Sequence, residues 1–443
     1  MDELTDINTF DTWSIEVSSK NADETWSIQY LNERTLPYLT WQPDTSHNIV
    51  SSVPVYIPLS SRADLEAVAS GASHTFAEGS EYELTTLASV TGQYALINDV
   101  DLSDSEWSPI PMFSGRLYGS DFTISNLNID SDEPDNGLFK LISGSSISHL
   151  QLANFDIIAL EESANSGVGA LASSATSHNS IQHVSLDVTS SLRGQVGVGG
   201  LIGVVYNGQI LLENIEINGS ISANDSHLGG LIGLTEFSII EMNHINIEDL
   251  ILEGQYNDDE DGYADPVGGA LGTVISSNVE INTIDIATSV TIRGAEIGGL
   301  FGMISFVDIP NTPIIFSNIV ISQASIAPFL ESINNYVGGL AGSVELGNLT
   351  LNAITIGGFI SQDKSVSTNV TASSLVGRFG TDDTSISASS ISGTNLLFDQ
   401  HLQNIDVNSG DQYGLIVGEI IPESPKSVSI TEITNAINIS TFV

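Results

Sequence analysis

Val198-Gly199-Gly200-Leu201-Ile202-Gly203 reads VGGLIG, and close copies of it return along the chain. They are LGGLIG at 228–233, VGGALG at 267–272, IGGLFG at 297–302 and VGGLAG at 337–342. Weaker copies stand at Val168 to Ala172, Ser373 to Gly377 and Tyr413 to Gly418, with an eroded first copy at Asn136 to Lys140. Successive copies end from 30 residues apart (Gly203 to Gly233) to 41 residues apart (Gly377 to Gly418). A self-similar period of this size marks stacked structural units.

A second marker keeps a fixed distance from the first. Twelve residues after Gly203, Gly233, Gly272 and Gly342 comes an alternating apolar pair: Ile215 and Ile217, Ile245 and Ile247, Ile284 and Ile286, Ile354 and Ile356. Counted from Ala172, the weak copy gives Val184 and Leu186 at the same offset. After Gly302 the pair reads as Ile319 and Ile321, displaced by an insert around Asp308 to Pro313. Period 2 is strand spacing, and the segments are too short and too β-branched for helices. Each period therefore reads as one coil of a right-handed parallel β-helix, a β-solenoid of nine or more coils, with the isoleucines in a vertical row inside. Nine coils at about 4.8 Å would make a rod of roughly 43 Å. The glycines suit bends, left-handed backbone, or close approach between coils.

The balance of 10 Lys+Arg against 55 Asp+Glu gives a net charge of −45. Ten scattered cations form no basic patch, so nucleic acid and anionic membranes are excluded as partners. The acidity fits calcium loading, a solvated surface that keeps the protein soluble, or both. With no cysteine, disulfides and thiolate metal sites are ruled out. The start Met1-Asp2-Glu3-Leu4 carries no basic leader, and no stretch reads as a membrane span. The expectation is a segment of a longer secreted chain, or a cytosolic protein.

Residues 1–46 lie outside the repeat and hold Trp13, Trp26 and Trp41 on short strand-like segments. They read as an aromatic-rich tail of a preceding unit or an N-terminal cap, and 47–443 as the solenoid. Ser60 to Ala69 is the one helix signal, with Ser60 or Ser61 as cap and Leu65 and Val68 on one face. It is expected to cover the open end of the stack. Ser80 to Leu87 reads as an irregular insert.

The order NDVDLS, WSPI (107–110), FSGRLYG, FTISNLNI and then repeated GGLxG resembles the GLUG-motif β-solenoid regions of bacterial surface proteins. Such regions occur in large adhesins and in the non-catalytic part of some immunoglobulin-A proteases. The resemblance covers roughly 50–443, and its repeats are specific as a set. It implies a non-enzymatic segment of a cell-surface or secreted adhesin, a rigid spacer or ligand-binding rod, monomeric within a larger chain. Pro37-Tyr38-Leu39-Thr40-Trp41 is similar to the tryptophan-bearing tail that follows such repeats. The long inserts and the eroded copies depart from the family pattern.

The most specific local signal is Asn257 to Asp265, NDDEDGYAD. It matches the first half of a calcium loop, with Asn257, Asp259, Asp261, the Tyr263 carbonyl and Asp265 as ligands. Position 12 is Gly268 rather than a bidentate Glu, which excludes an EF-hand. A solvated acidic loop is the competing reading. Asp99, Asp101 and Asp104 form a second acidic cluster, which the resemblance implies is a strand-and-turn signature, with calcium as the alternative, and Trp107 beside it reads as packing. Catalysis finds little support: solenoid lyases acting on polyanions need Lys or Arg to hold carboxylates. A carbohydrate-active solenoid on neutral glycan stays open, because two carboxylates suffice. Among the histidines, His178, His183 and His244 read as outward strand or loop residues. Inserts are expected between the apolar pair and the next motif, at Asn257 to Asp265 and Ser322 to Asn335. Any receptor would dock at that corner.

Overall fold

The computed structural model describes residues 56–131, 135–159, 167–188, 192–193, 197–224, 227–255, 265–306, 317–332, 335–362, 370–380, 389–403, 412–421, 426–435 and 438–440. It also describes three dipeptide strands nearer the start, Ile15–Glu16, Trp26–Ser27 and Tyr38–Leu39, which pair into a small sheet of their own. Among the described residues no helix is long and apolar enough to cross a membrane.

The chain is a parallel β-helix. Eight motif strands, from Gly167–Gly169 to Gln412–Gly414, form one parallel sheet in sequence order, and the eroded copy joins it through an Asn136–Val168 bridge. All nine copies therefore stack. The glycines permit this by leaving room for a neighbouring backbone, not by left-handed geometry. A Cβ on Gly199 would lie 2.7 Å from the nitrogen of Gly233, and one on Gly229 2.6 Å from that of Gly272. At either position a side chain would collide with the main chain of the next rung.

Inside, Leu150, Val184, Ile215, Ile245, Ile284, Ala324, Ile354 and Leu396 pair rung to rung. Two residues on, Leu152, Leu186, Ile217, Ile247, Ile286, Ile326, Ile356 and Phe398 do the same. None of the sixteen is more than 3% exposed. Just before the first column the chain turns through left-handed residues: His149, His183, Asn214, His244, Ala353 and Asn395, with φ between +51° and +55°. Asn and His tolerate that region better than most side chains, which accounts for their recurrence here. The turn faces outward, as expected for His183 and His244. The His149 and His183 rings stack with centroids 4.5 Å apart.

At another corner serine hydroxyls replace backbone partners. The amide of Gly208 donates to Ser238 Oγ (3.1 Å), that of Ser238 to Ser277 Oγ (3.0 Å) and that of Ser277 to Ser317 Oγ (3.2 Å). Ser238 and Ser277 in turn donate to the carbonyls of Glu236 and Ile275. Buried amides that the bend removes from the ladder are satisfied in this way.

Five expectations need correction. Ile319 is buried, but it pairs with Val279 and Leu349 in the neighbouring column. The residue in register with Ile284 and Ile354 is Ala324, which follows Gly302 by 22 residues rather than 12, an insert of ten. Two consecutive strands both alternate, so alternation alone does not say which one stacks. Ser322 to Asn335 is consequently not an insert: it carries the strands Ala324–Ile326 and Phe329–Ser332. The added length lies in 307–316, outside the described residues. In the weak copy Ala172 pairs with Ile202 rather than Gly203, and a register shift between Ala175 and Ser177 restores the alignment of Val184.

The fourth concerns the N-terminal end. A helix forms at Arg62–Ala67, and Ser61 caps it by accepting from the Asp64 amide. A lid over the stack is not evident. Six residues make only about 9 Å of helix, and this one is tied sideways. The buried Asp64 carboxylate accepts from Ser60 and from the amide of Ala77, and meets His74 at 2.9 Å. The fifth is the insert expected at Ser80 to Leu87: its end, Leu84–Leu87, is a strand paired in a hairpin with Ser73–Phe76, which holds His74.

Candidate functional site

Of the calcium ligand set, Asn257, Asp259, Asp261 and Tyr263 lie outside the described residues. Asp265 is described, half-buried, just ahead of the motif strand Pro266–Gly268. Among the described residues no group of three or more His, Asp or Glu side chains is placed to hold a metal ion.

In the second acidic cluster Asp99 and Asp101 are held by neighbouring N–H groups, while Asp104 lines an open groove beside them. Asp99 accepts from the Thr123 amide (2.9 Å), and Asp101 from the Ser103 amide (3.0 Å) and Asn126 Nδ2 (2.9 Å). The Asn126 bond, then Ser103, hold the Asp101 carboxyl below its usual range. Asp99 and Asp101 thus tie this turn down, to itself and to the next rung. Trp107 is 2% exposed and donates through Nε1 to the Leu138 carbonyl (3.2 Å), while Arg62 lies over its ring. It packs, and offers no face to a ligand.

A site that the sequence did not announce lies beside the glycine column. The residue ahead of each motif's apolar position forms one row: His227, Pro266, Glu296, Tyr336, Thr371 and Gln412. Thr273, Met303, Ser343, Arg378 and Glu419 form a second row on the strand that follows the motif. Glycine brings the strands backbone to backbone, so the rows interlock. Thr273 Oγ1 sits 2.8 Å from His227 Nδ1, and burial pushes that imidazole down to about 4. The Arg378 guanidinium lies 5.3 Å from the Tyr336 ring centre.

Glu296 is 8% exposed in this seam. Burial, reinforced by the charge of Glu345 and opposed by Ser343 and Arg378, pushes its carboxyl up to about 7. A carboxyl that holds its proton near neutrality is a pattern of acid–base catalysts, but this one is enclosed between rows. A stability effect follows. The folded carboxyl holds its proton more tightly than an unfolded one with a value near 4.5. The contribution is therefore fully present below 4.5 and is lost as pH rises through 7, on the order of 3 kcal/mol in all. Glu296→Gln should melt closer to wild type at pH 5 and above it at pH 8. Parallel melting curves for the two proteins across that range would refute this.

No family model and no curated protein matches the chain. The site chemistry therefore rests on the geometry alone. Neither the acidic turn nor the Glu296 seam presents an open pair of carboxylates to a substrate. The recurring outward chemistry is a set of amide and hydroxyl ladders. Asn318 donates to Asn278 (3.0 Å), Asn348 to Asn318 (3.2 Å) and Ser390 to Asn348 (2.8 Å). Such ladders bind rung to rung and stiffen the face they line. Their signal in the sequence was a recurring Ser-Asn or Ser-Ser ahead of an apolar residue, as in Ser277-Asn278-Val279 and Ser317-Asn318-Ile319.

Proposed function

We propose that the chain is a non-enzymatic, rigid segment of a bacterial surface or secreted adhesin, of the GLUG-motif kind that its repeats resemble. It holds a binding face away from a surface, or is itself the face. The observation that carries this reading is the unbroken rung-to-rung register of the interior columns from Leu150 to Leu396. Every ladder hydrogen bond then runs along the long axis, the direction in which a spacer must resist bending. The high negative charge gives solubility and repels chance anionic contacts.

The test is a panel of common neutral and acidic polysaccharides incubated with the protein. No new reducing ends are expected. Turnover that disappears in Glu296→Gln would replace this reading with a hydrolase that uses the Glu296–Glu345 pair.

Calcium belongs to the same proposal. The loop Asn257 to Asp265 would take one ion through Asn257, Asp259, Asp261, the Tyr263 carbonyl and Asp265, fastening the approach to the motif strand at Pro266. Chelator should then lower the melting temperature, and Asp259→Ala with Asp261→Ala should abolish that dependence. Identical melting curves with and without chelator would remove calcium from the account.

A further inference from the structure

On a chain this acidic, a free cation stands out. Among the described residues most basic side chains are engaged. Arg62 bonds Glu66 and the carbonyls of Leu102, Ser105 and Glu106. Arg293 faces Glu253 and Glu331, Arg378 lies over Tyr336, and Lys140 has a partner. Arg116 is exposed and takes part in no ion pair or side-chain hydrogen bond. It lies in a groove of about 320 Å³ with Gln93, Ser146, Ser180, Thr91 and His178.

The register explains the convergence. Gln93 pairs with Arg116, Arg116 with Ser146 and Ser146 with Ser180, one outward residue from each of four successive rungs. Four rungs at about 4.8 Å spacing span roughly 14 Å along the axis. His178 lies two residues before Ser180 on the same strand, and so stands beside this column on the same face. At the mouth Gly144 adopts φ +74°, and a Cβ there would meet nothing within 4 Å. The groove is thus open at Gly144, and Arg116 itself is exposed.

We infer that this groove binds an acidic glycan, its carboxylate or sulfate on Arg116 and its hydroxyls on the neighbouring amide and hydroxyl groups. A planar guanidinium with several free N–H groups suits a two-oxygen anion. Gln93 lines the same groove one rung before Arg116. The Ser146 and Ser180 hydroxyls both donate and accept, and His178 adds ring nitrogens at the far end. The overall charge opposes approach of any polyanion. At 0.15 M salt, however, fields beyond about 8 Å are screened while contacts inside the groove persist.

This deepens the adhesive-rod reading by naming a ligand class and a place, which lies ahead of the apolar pair rather than at the corner after it where docking was expected. The probes are oligosaccharides of alginate (carboxylate), dextran sulfate (sulfate) and plain dextran (neutral), titrated calorimetrically into the whole chain at 0.15 M salt. One of the acidic probes should bind and dextran should not; which acidic probe binds identifies the anion. Arg116→Ala should weaken binding at least tenfold, and Arg293→Ala less than twofold. Ser146→Asp, which sets a carboxylate on the rung next to Arg116 and removes no core contact, should match Arg116→Ala, with melting curves showing the fold intact. Absence of binding by both acidic probes, equal binding of dextran, or full affinity in Arg116→Ala would overturn the proposal. Absence of binding with no turnover removes only this groove; turnover of any glycan removes the rod reading itself.

Discussion

Gly268→Ala should split the stack at its third strong copy of the motif. The added methyl would lie 2.5 Å from the nitrogen of Gly302 and against the carbonyl of Leu271. Both are main-chain atoms inside a ladder. Gly230 donates to the Gly268 carbonyl, and Gly269 to that of Gly298, each at 3.2 Å. Relief would require breaking such bonds on both sides. Ordinary overpacking costs about 1–3 kcal/mol because side chains can shift; here nothing can, and more than about 3 kcal/mol is expected. Gly393→Ala is the contrast. It also sits in a strand, but the nearest atoms its Cβ would meet belong to a side chain, Leu396, with Cδ1 at 3.0 Å rather than main chain, and about 1 kcal/mol is expected. Denaturant midpoints would measure both. Equal midpoints for the two variants would show that the glycines are there for flexibility, not for close approach. Because each rung contacts only its neighbours, the first variant should also gain a protease-sensitive point near 268 rather than unfold uniformly.

Ile245→Ala should cost about 2–5 kcal/mol. Its side chain is 2% exposed between Ile215 and Ile284 in the central column. The rungs above and below are held by their own ladders and cannot collapse into the gap. Ile251 lies on the same continuous strand, Ile239–Gln255, but is 49% exposed. Ile251→Ala should change stability by less than about 1 kcal/mol. Two isoleucines six residues apart would then differ severalfold in effect. Comparable losses at both would mean that the register placing Ile245 inside is wrong.

The sequence by itself determined the class of fold and most of its stacking. Nine copies of one motif, a period-2 apolar pair and a recurring glycine cluster are local patterns, and each has one physical solution: short strands, an apolar inner face, and backbones too close for side chains. That is why the places of Ile215, Ile245, Ile284 and Ile354 are legible in the sequence. Legibility ended where two solutions were locally equal. Ile319-Val320-Ile321 and Ala324-Ser325-Ile326 both alternate, and only pairing with the rungs on either side selects the second for the central column. The sites lay further out of reach. Glu296 meets Arg378 across two rungs, and Arg116 shares a groove with His178, although each pair is separated by more than sixty residues of sequence. In a solenoid the length of every insert shifts which side chains come to lie above one another. A residue's chemical neighbours are therefore fixed by the register between coils, and that register is a property of the stack rather than of any one repeat.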